Sequence, residues 1–548
     1  MQLKPSLLDT PIESIEGQAD LKACLNAHGL YNSFQFVLRL SPEVHRKIDA
    51  LHMGIAKGAA ADFDCLRAYS TYLHETIHWW QHVGSTTGLL LSLSYPGQAH
   101  ANYNHLKNLL EAIGPKKSML RYVEKCGGTG GPETPAGIAN IVLNNHFDIE
   151  FFRILTTTPG MIRQVVEHPL FDCIGHSYRI AYGNIALILA SSFDKDLTFI
   201  PDPRNWSEVF GELRARKVKG FYYRSDVDVV PIGAHHLFEG QARFGQLQFL
   251  YFVSGGKLTW EDVRAMGMLD GIYGEAFRYF LRLAELEWPP TIDHPVVGLF
   301  LLVCDVAINP SDGFPLPLST PTTFITDVDP GFRFSFLCRT VATQRPDTAR
   351  MIINYSRSEY AEVSEALCRP ILIDPPLAIA ETVCGWAQKS DDIKALMEEH
   401  STFGYGPGNL PVRMLFAHFL AFCKDKLERP EFFCWPGAWK TGSRASSELL
   451  ELFERQSAPF LDKPDDSGIY PRLMSGKDES VVQASFDAFY AANVTYDLTR
   501  QWVAMPGQFK YDYRWLSSQG GPEAMKIFAD RHFKQIYGAH PDSFDILQ

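Results

Sequence analysis

The chain of 548 residues is long enough to form several domains, and its composition (46% hydrophobic, 21% charged) is that of a globular protein with a large core. Its net charge of −12 argues against a general nucleic-acid-binding protein, because neutralising phosphates requires clustered Lys and Arg. Ten cysteines without C-x-x-C spacing favour a reducing compartment over a disulfide framework.

The first residues, MQLKPSLLDTPIESIEG, lack the basic region and apolar segment that a secretion signal requires. The longest apolar run, VVGLFLLVCDVAI, is too short to span a bilayer and contains Asp305, so it predicts a buried helix. We therefore expect a soluble, cytoplasmic protein with neither a membrane nor a nucleic acid as partner.

Helical periodicity dominates the chain. Apolar residues recur three to four positions apart in long stretches around 61–95, 139–155, 234–253, 275–287, 391–399, 410–428 and 444–460. Short β-like runs at 34–40, 220–224 and 369–376 predict a small sheet. The pattern predicts a mainly α fold of the α+β type.

The proline- and turn-rich segment 309–331 is the strongest candidate for a domain boundary. We predict a metal-binding domain over residues 1–310, because the motif described next lies there. A second, mainly helical domain is predicted over residues 326–548.

The segment STYLHETIHWWQHVGSTTG contains the pattern H-E-x-x-H at His74, Glu75 and His78. Residues four apart are neighbours on a helix, so the two imidazoles can bind one ion. Glu75 lies about 100° round the helix from His74, beside the ion, where a general base acting on a bound water belongs. Zinc accepts such ligands and lowers the pKa of its bound water to near 7. His82 extends the same stripe, but about 12 Å along the axis from His74, too far to join both tightly.

A hydrophobic residue, Trp79, follows the second histidine. The residues that surround the pattern are all uncharged; these are Thr71, Tyr72, Thr76, Ile77, Trp79 and Trp80. The segment resembles the extended signature of the zincin metallopeptidases. The metzincin branch would have a glycine and then a third histidine at the positions of Gln81 and Gly84, so that branch is excluded. The gluzincin branch takes a glutamate from a later helix as its third zinc ligand.

The stretch PIGAHHLFEGQARFGQLQFLYF (231–252) is the best candidate for that later helix. Its EGQA run resembles the E-G-x-A segment of gluzincin-type peptidases, which implies that Glu239 is the third zinc ligand. Because Gly240 and Ala242 are small, we expect them to let this helix approach the first one closely. The interpretation requires a large insertion, over about 90–230, between the two metal helices.

Two other acidic residues remain alternatives for the third ligand. Glu150 lies in the helical segment NNHFDIEFF, and Asp305 lies in the apolar run. Asp305 is also a candidate for orienting a ligand imidazole, because a metal-bound histidine normally donates its other N–H. Hydrolysis further needs a donor for the developing oxyanion. The sequence does not rank the candidates, which are His235, His236, Arg243, Tyr222 and Tyr223.

The resemblance implies a zinc-dependent peptidase in which His74, His78 and Glu239 hold the ion and Glu75 is the general base. Its partner would be a peptide or protein substrate, and a regulatory protein partner stays open. One alternative is a non-catalytic helical scaffold or partner-binding protein in which the pattern is accidental or holds a structural metal. A di-iron carboxylate protein is a weaker alternative, because it needs a second E-x-x-H that the sequence lacks.

Overall fold

A computed structural model of the chain describes residues 29–56, 62–127, 130–208, 210–211, 229–319, 323–464, 466–513, 515–517 and 521–548. Helices account for 69% of the structure and strands for 4%, so the predicted mainly α fold with a small sheet is confirmed.

The helices of the first part of the chain are α1 (Pro42–Ala56), α2 (Phe63–Gly84), α3 (Thr86–Ile113), α4 (Met119–Lys125), α5 (Pro135–Thr157), α6 (Ile162–Val166), α7 (Ile174–Phe193), α8 (Ala234–Val253), α9 (Trp260–Ala265), α10 (Ile272–Leu283) and α11 (Pro295–Ala307). The later helices are α12 (Phe324–Val328), α13 (Pro330–Thr343), α14 (Arg357–Cys368), α15 (Pro376–Lys389), α16 (Asp391–Thr402), α17 (Leu410–Glu428), α18 (Pro430–Cys434), α19 (Pro436–Trp439), α20 (Ser447–Arg455), α21 (Glu479–Ala504) and α22 (Gly521–Tyr537).

The strands form two small sheets; they are β1 (Gly29–Asn32), β2 (Val37–Leu40), β3 (Lys116–Lys117), β4 (Phe460–Lys463), β5 (Asp466–Pro471) and β6 (Asp545–Ile546). The larger sheet has the order β1-β2-β4-β5, with β1 antiparallel to β2, β2 parallel to β4 and β4 antiparallel to β5. Strands β3 and β6 pair in parallel. Both sheets therefore join segments that are far apart in the chain.

Some predicted elements differ from the structure in their limits or their type. The stretch 61–95 is two helices, because the side chain of Ser85 accepts a hydrogen bond from the Gly88 N–H and so starts α3. The run 369–376 is not a strand: its first residues form a 3₁₀ turn, and Leu372 is in the left-handed region with φ 57°. The run 220–224 lies outside the described residues.

The metal helices α2 and α8 pack against each other, and α8 also contacts α10, α11 and α19. A Cβ on Gly245 would lie 2.9 Å from Ile77 Cδ1, so Gly245 is the residue that allows α2 and α8 to approach closely. The expectation that Gly240 does this is wrong. Gly240 instead faces Ala276 and Phe300, because it lies about 100° round α8 from Glu239.

Among the described residues between α2 and α8, the three long helices α3, α5 and α7 pack against one another. The apolar run predicted as a buried helix is α11, and its residues from Val296 to Ala307 are buried. Within the described part of the chain, no helix combines the length and apolar character needed to span a membrane. The division into domains at 310–326 stays a prediction.

Candidate metal centre

Helix α2 places its motif by burying the apolar residues that precede, separate and follow the two histidines. Leu73, Ile77 and Trp80 belong to the hydrophobic core, and the Trp80 indole N–H donates to the backbone oxygen of Gln456 at 2.9 Å. With this face fixed, His74 and His78 both point at α8, one turn apart. The helix thus orients both imidazoles through packing that is independent of any ion.

Three ligand atoms from the two helices converge. The Nε2 atoms of His74 and His78 lie 3.1 Å apart, and each lies 3.5 Å from Oε2 of Glu239. His74 and His78 are 5% and 7% exposed, and the Glu239 side chain is 12% exposed. These are the three residues named as ligands from the sequence, and they form a group able to hold a metal ion.

The spacing of these atoms fits zinc. In tetrahedral coordination with metal–ligand distances of roughly 2.0–2.1 Å, two ligand atoms lie about 3.3 Å apart. The observed separations of 3.1, 3.5 and 3.5 Å are close to that edge length. A structural site would need a fourth protein ligand, and no fourth His, Cys, Asp or Glu of the described residues joins the group.

The electrostatics of the group also fit a cation. Oε2 of Glu239 is buried and has no hydrogen-bond partner among the described residues, an arrangement that costs free energy unless something positive lies beside it. Although burial opposes ionisation, the charge of His78 and the facing imidazoles hold the pKa of Glu239 well below its usual range. Burial lowers the pKa of His74 to about 3, so this ligand is neutral, as metal binding requires. Burial also disfavours the charged form of His78, but Glu239 raises the pKa of His78 to about 9. Without a metal ion, the His78 imidazolium therefore supplies the positive charge beside Glu239, and a metal ion would have to displace its proton.

The second nitrogen of His78 is fixed by a glutamine. Nδ1 of His78 lies 2.8 Å from Oε1 of Gln81, and the Gln81 amide nitrogen donates to Phe238 O and to Gln241 Oε1, both at 2.9 Å. Gln81 therefore connects the two metal helices as well as orienting a ligand. Sequence reasoning missed this role, although a polar residue three positions after a ligand histidine is a usable signal.

Glu75 lies beside the ligands under strand β1. It is 5% exposed, and burial raises its pKa to about 7 while its carboxylate accepts a hydrogen bond from the Tyr31 N–H. A Cβ on Gly29 would lie 2.7 Å from both Cγ and Oε1 of Glu75. Only a glycine at this position lets β1 approach the carboxylate so closely. Glu75 is thus a buried carboxyl with a pKa near neutrality, as a general base requires.

A tyrosine and an arginine lie at the edge of the group. The rings of Tyr273 and His74 are 6.0 Å apart edge to face, and the Arg243 guanidinium lies 4.0 Å from the Tyr273 ring centroid. Burial raises the pKa of Tyr273 to about 12, so its hydroxyl stays protonated at neutral pH. Tyr273 was not among the residues singled out from the sequence, because nothing in its local pattern points to the metal helices.

The residues that the sequence suggested as oxyanion donors differ in how close they lie to the ligand group. Nε2 of His235 lies 3.6 Å from Oε1 of Glu239, the oxygen that does not face the two ligand histidines. His236 caps its own helix by accepting from the Gly233 N–H at 3.2 Å, and its Nε2 lies 3.4 Å from Glu275. Tyr222 and Tyr223 lie outside the described residues. Of the candidates, Arg243 and His235 are therefore the two beside the ligands.

The alternatives for the third ligand lie elsewhere. Glu150 forms an ion pair with Arg500 at 2.9 Å. Asp305 accepts from Lys426 at 2.7 Å and from the Tyr360 hydroxyl at 2.5 Å, so the expectation that it orients a ligand imidazole is wrong. Its charge instead neutralises a buried lysine. His82 packs between the rings of Tyr31 and Phe238, each 5.2 Å away, and does not join the group.

Comparisons with known proteins return no relative. The chain matches no family model, no curated protein and no solved structure. Evidence for a function therefore comes from the side chains themselves.

Proposed function

We propose that the protein is a zinc-dependent peptidase, similar in its ligand set to the gluzincins. The observation that carries the proposal is the convergence of His74 Nε2, His78 Nε2 and Glu239 Oε2 at 3.1–3.5 Å. Glu75, the residue after His74, is buried and interacts electrostatically with His78 and Glu239. Two imidazoles and one carboxylate, with the fourth position open to water or substrate, are a common ligand set of catalytic zinc.

A zinc ion held by these three residues would acidify a water molecule and polarise a substrate carbonyl. Glu75 would take a proton from the attacking water onto its carboxylate and pass it to the nitrogen of the leaving amine. A pKa of about 7 suits both steps, because the group can accept the proton and release it at neutral pH. The Tyr31 N–H, which donates to Glu75, holds the carboxylate in place.

Tyr273 is the donor that we assign to the developing oxyanion. Its hydroxyl is protonated at neutral pH, and its ring centroid lies 6.0 Å from that of His74. A donor fixed in a largely buried site stabilises developing charge far more than it would in water. Its removal is expected to lower kcat by about 10²- to 10³-fold, the usual cost of one oxyanion donor.

The first experiment measures zinc per chain by elemental analysis. We expect about one zinc in the wild type and in Glu150→Ala, and much less in Glu239→Ala. Glu150→Ala is the matched control, because it removes a half-buried glutamate that pairs with Arg500 outside the ligand group. Equal zinc in the wild type and Glu239→Ala would contradict the assigned ligand set.

The second experiment separates catalysis from metal binding. Glu75→Gln should keep its zinc and lose activity on a peptide mixture by about 10²- to 10⁴-fold, because the amide cannot accept the proton of the attacking water. Full activity of a zinc-loaded Glu75→Gln protein would contradict the general-base role. Zinc in the wild type without any peptide cleavage would favour a scaffold with a structural metal.

We also propose a cytoplasmic location. The cysteines of the described residues are all free, as expected in a reducing compartment. Fractionation of cells that express the chain tests the proposal, and recovery in a secreted or membrane fraction would contradict it.

A further inference from the structure

Arg243 lies beside the candidate metal centre without a carboxylate partner. Its guanidinium donates to Gln246 Oε1 and stacks on the Tyr273 ring at 4.0 Å. Its Nε atom is buried and has no hydrogen-bond partner, and no Asp or Glu of the described residues forms an ion pair with it. Neutral partners thus hold the guanidinium in position, and its charge acts on the Glu75 carboxylate without forming an ion pair among the described residues.

Three other half-buried arginines of this chain are paired with carboxylates, whereas the buried Arg333 donates four hydrogen bonds to backbone oxygens instead. Arg500 pairs with Glu150 at 2.9 Å, Arg413 with Glu399 at 2.6 Å, and Arg429 with Glu431 at 2.8 Å. Removing a guanidinium from water without an anion is costly, and a buried donor left unpaired adds to that cost. Arg243 has neither a carboxylate in an ion pair nor a partner for its buried Nε, and it lies next to the ligand group, which indicates that an anion comes with a ligand.

The position of Arg243 relative to the metal ligands limits how far the anion can lie from the carbonyl that reacts. Arg243 is one helical turn beyond Glu239, so their Cα atoms are about 6 Å apart along the axis of α8. An extended peptide advances roughly 3.3–3.6 Å per residue. The anion therefore lies one or two residues from a carbonyl placed at the ligand group.

We propose that Arg243 binds the C-terminal carboxylate of a peptide substrate, so that the site removes one or two residues from the end of a chain. The inference rests on the proposed peptidase function and names its substrate class. The planar guanidinium offers a carboxylate two parallel N–H donors, which fixes the register of the substrate as well as its charge. Hydrolysis then breaks one C–N bond and forms one C–O bond from water, with a proton going to the leaving amine.

The test uses two pools of N-acetylated hexapeptides of mixed sequence that differ only at the C-terminus, one free acids and the other amides. For the zinc-loaded wild type we expect kcat/KM roughly 10- to 100-fold higher on the free acids, the size of a lost charged hydrogen bond. Mass spectrometry should show the loss of one or two C-terminal residues. Arg243→Gln should lose this preference, mainly through slower cleavage of the free acids.

A second arginine provides the control. Arg282 is exposed and stacks on Tyr279 at 5.0 Å, so Arg282→Gln removes a similar contact on α10 away from the ligand group. This variant should keep the preference for free acids. A change of the same size in Arg282→Gln would mean that the effect is not specific to Arg243.

The outcomes separate this inference from the proposed function. Zinc-dependent cleavage of acids and amides at equal rates, or cleavage in the middle of the peptides, would overturn the role of Arg243 and leave a peptidase. If neither pool is cleaved, the peptidase proposal fails. The carboxylate inference is then decided by binding of the two pools to zinc-loaded Glu75→Gln protein, where equal affinities overturn it.

Discussion

Nδ1 of His78 lies 2.8 Å from the side-chain oxygen of Gln81. A carbonyl oxygen only accepts hydrogen bonds, so His78 carries a proton on Nδ1 and can present a bare Nε2 to the ion. The Gln81 amide cannot flip without losing its donor contacts to Phe238 O and Gln241 Oε1. The tautomer of His78, a candidate ligand, is therefore set by a residue outside the three-residue group.

Replacing this glutamine should weaken zinc binding. For Gln81→Leu we expect the zinc Kd to rise by about 10- to 100-fold, because the outer partner of a ligand histidine fixes its orientation. Competition with a coloured chelator measures the change. The control is Gln98→Leu, which removes another buried amide, bonded to His146 O at 3.2 Å, without a contact to the ligand group. Equal zinc affinity in both variants would contradict the positioning role.

A substitution at Gly29, in strand β1 against Glu75, provides a second test of the site. A Cβ there would lie 2.7 Å from Glu75 Cγ and Oε1 and 2.9 Å from Thr71 Cγ2. Gly29→Ala should therefore displace β1 or the carboxylate, with a loss of roughly 1–3 kcal/mol in the free energy of unfolding. We expect reduced peptidase activity and unchanged zinc content, because Gly29 does not contact the three ligands.

A glycine in open space is the matched control for this substitution. Gly385 lies inside helix α15, and a Cβ there would meet no atom within 4 Å. Gly385→Ala should stabilise the protein by about 0.5–1 kcal/mol in chemical denaturation, because alanine favours the helix. A similar loss of activity in both variants would mean that the effect of Gly29→Ala is not local.

The grouping of His74, His78 and Glu239 was predictable from the sequence because its signals are local, while their role as metal ligands stays a prediction. The spacing of His74 and His78 follows from helical geometry, and EGQA marks a glutamate on a helix that is otherwise largely apolar. The structure brings these residues together as expected. The helical content was predictable for the same reason, since three-to-four periodicity is a property of one segment at a time.

What the sequence could not supply depends on contacts between distant segments. Tyr273 reaches the site only because α10 packs on α8, and Gly29 does so because β1 crosses α2. Asp305 was misjudged for the same reason: its partner, Lys426, is 121 residues away on α17. The run 369–376 has the composition of a strand, but Leu372 adopts a left-handed conformation that ends any regular pairing.

Asp305 is expected to matter for stability and not for zinc. Its carboxylate accepts from Lys426, Tyr360 and Asn309, and the side chains of Asp305 and Lys426 are both buried. Asp305→Ala leaves the lysine as a buried, uncompensated charge, which costs about 3–5 kcal/mol. Urea denaturation should show this loss, while zinc per folded chain stays at the wild-type value. Loss of zinc without loss of stability would return Asp305 to the metal site.

His418 predicts how the stability of the fold changes with pH. Its Nδ1–H donates to Met414 O at 2.8 Å, and its ring packs edge to face on Trp79 and on His400. Burial, with smaller contributions from His400 and Arg472, lowers the pKa of His418 to about 3. The unfolded chain, with a histidine pKa near 6.5, therefore binds a proton that the folded chain excludes between about pH 6.5 and pH 3.

The contribution of His418 to the free energy of unfolding is therefore complete above pH 6.5 and decreases as the pH falls towards 3. At pH 5 the loss from His418 alone is about 2 kcal/mol, taken as 1.36 kcal/mol per pH unit below the unfolded pKa. His418→Asn keeps a donor for Met414 O but does not titrate, so the difference in unfolding free energy between pH 7 and pH 5 should shrink by about that amount. Urea denaturation at the two pH values measures it, with the exposed His52→Asn as the control that should leave the difference unchanged. An equal pH dependence in wild type and His418→Asn would show that His418 does not carry this effect.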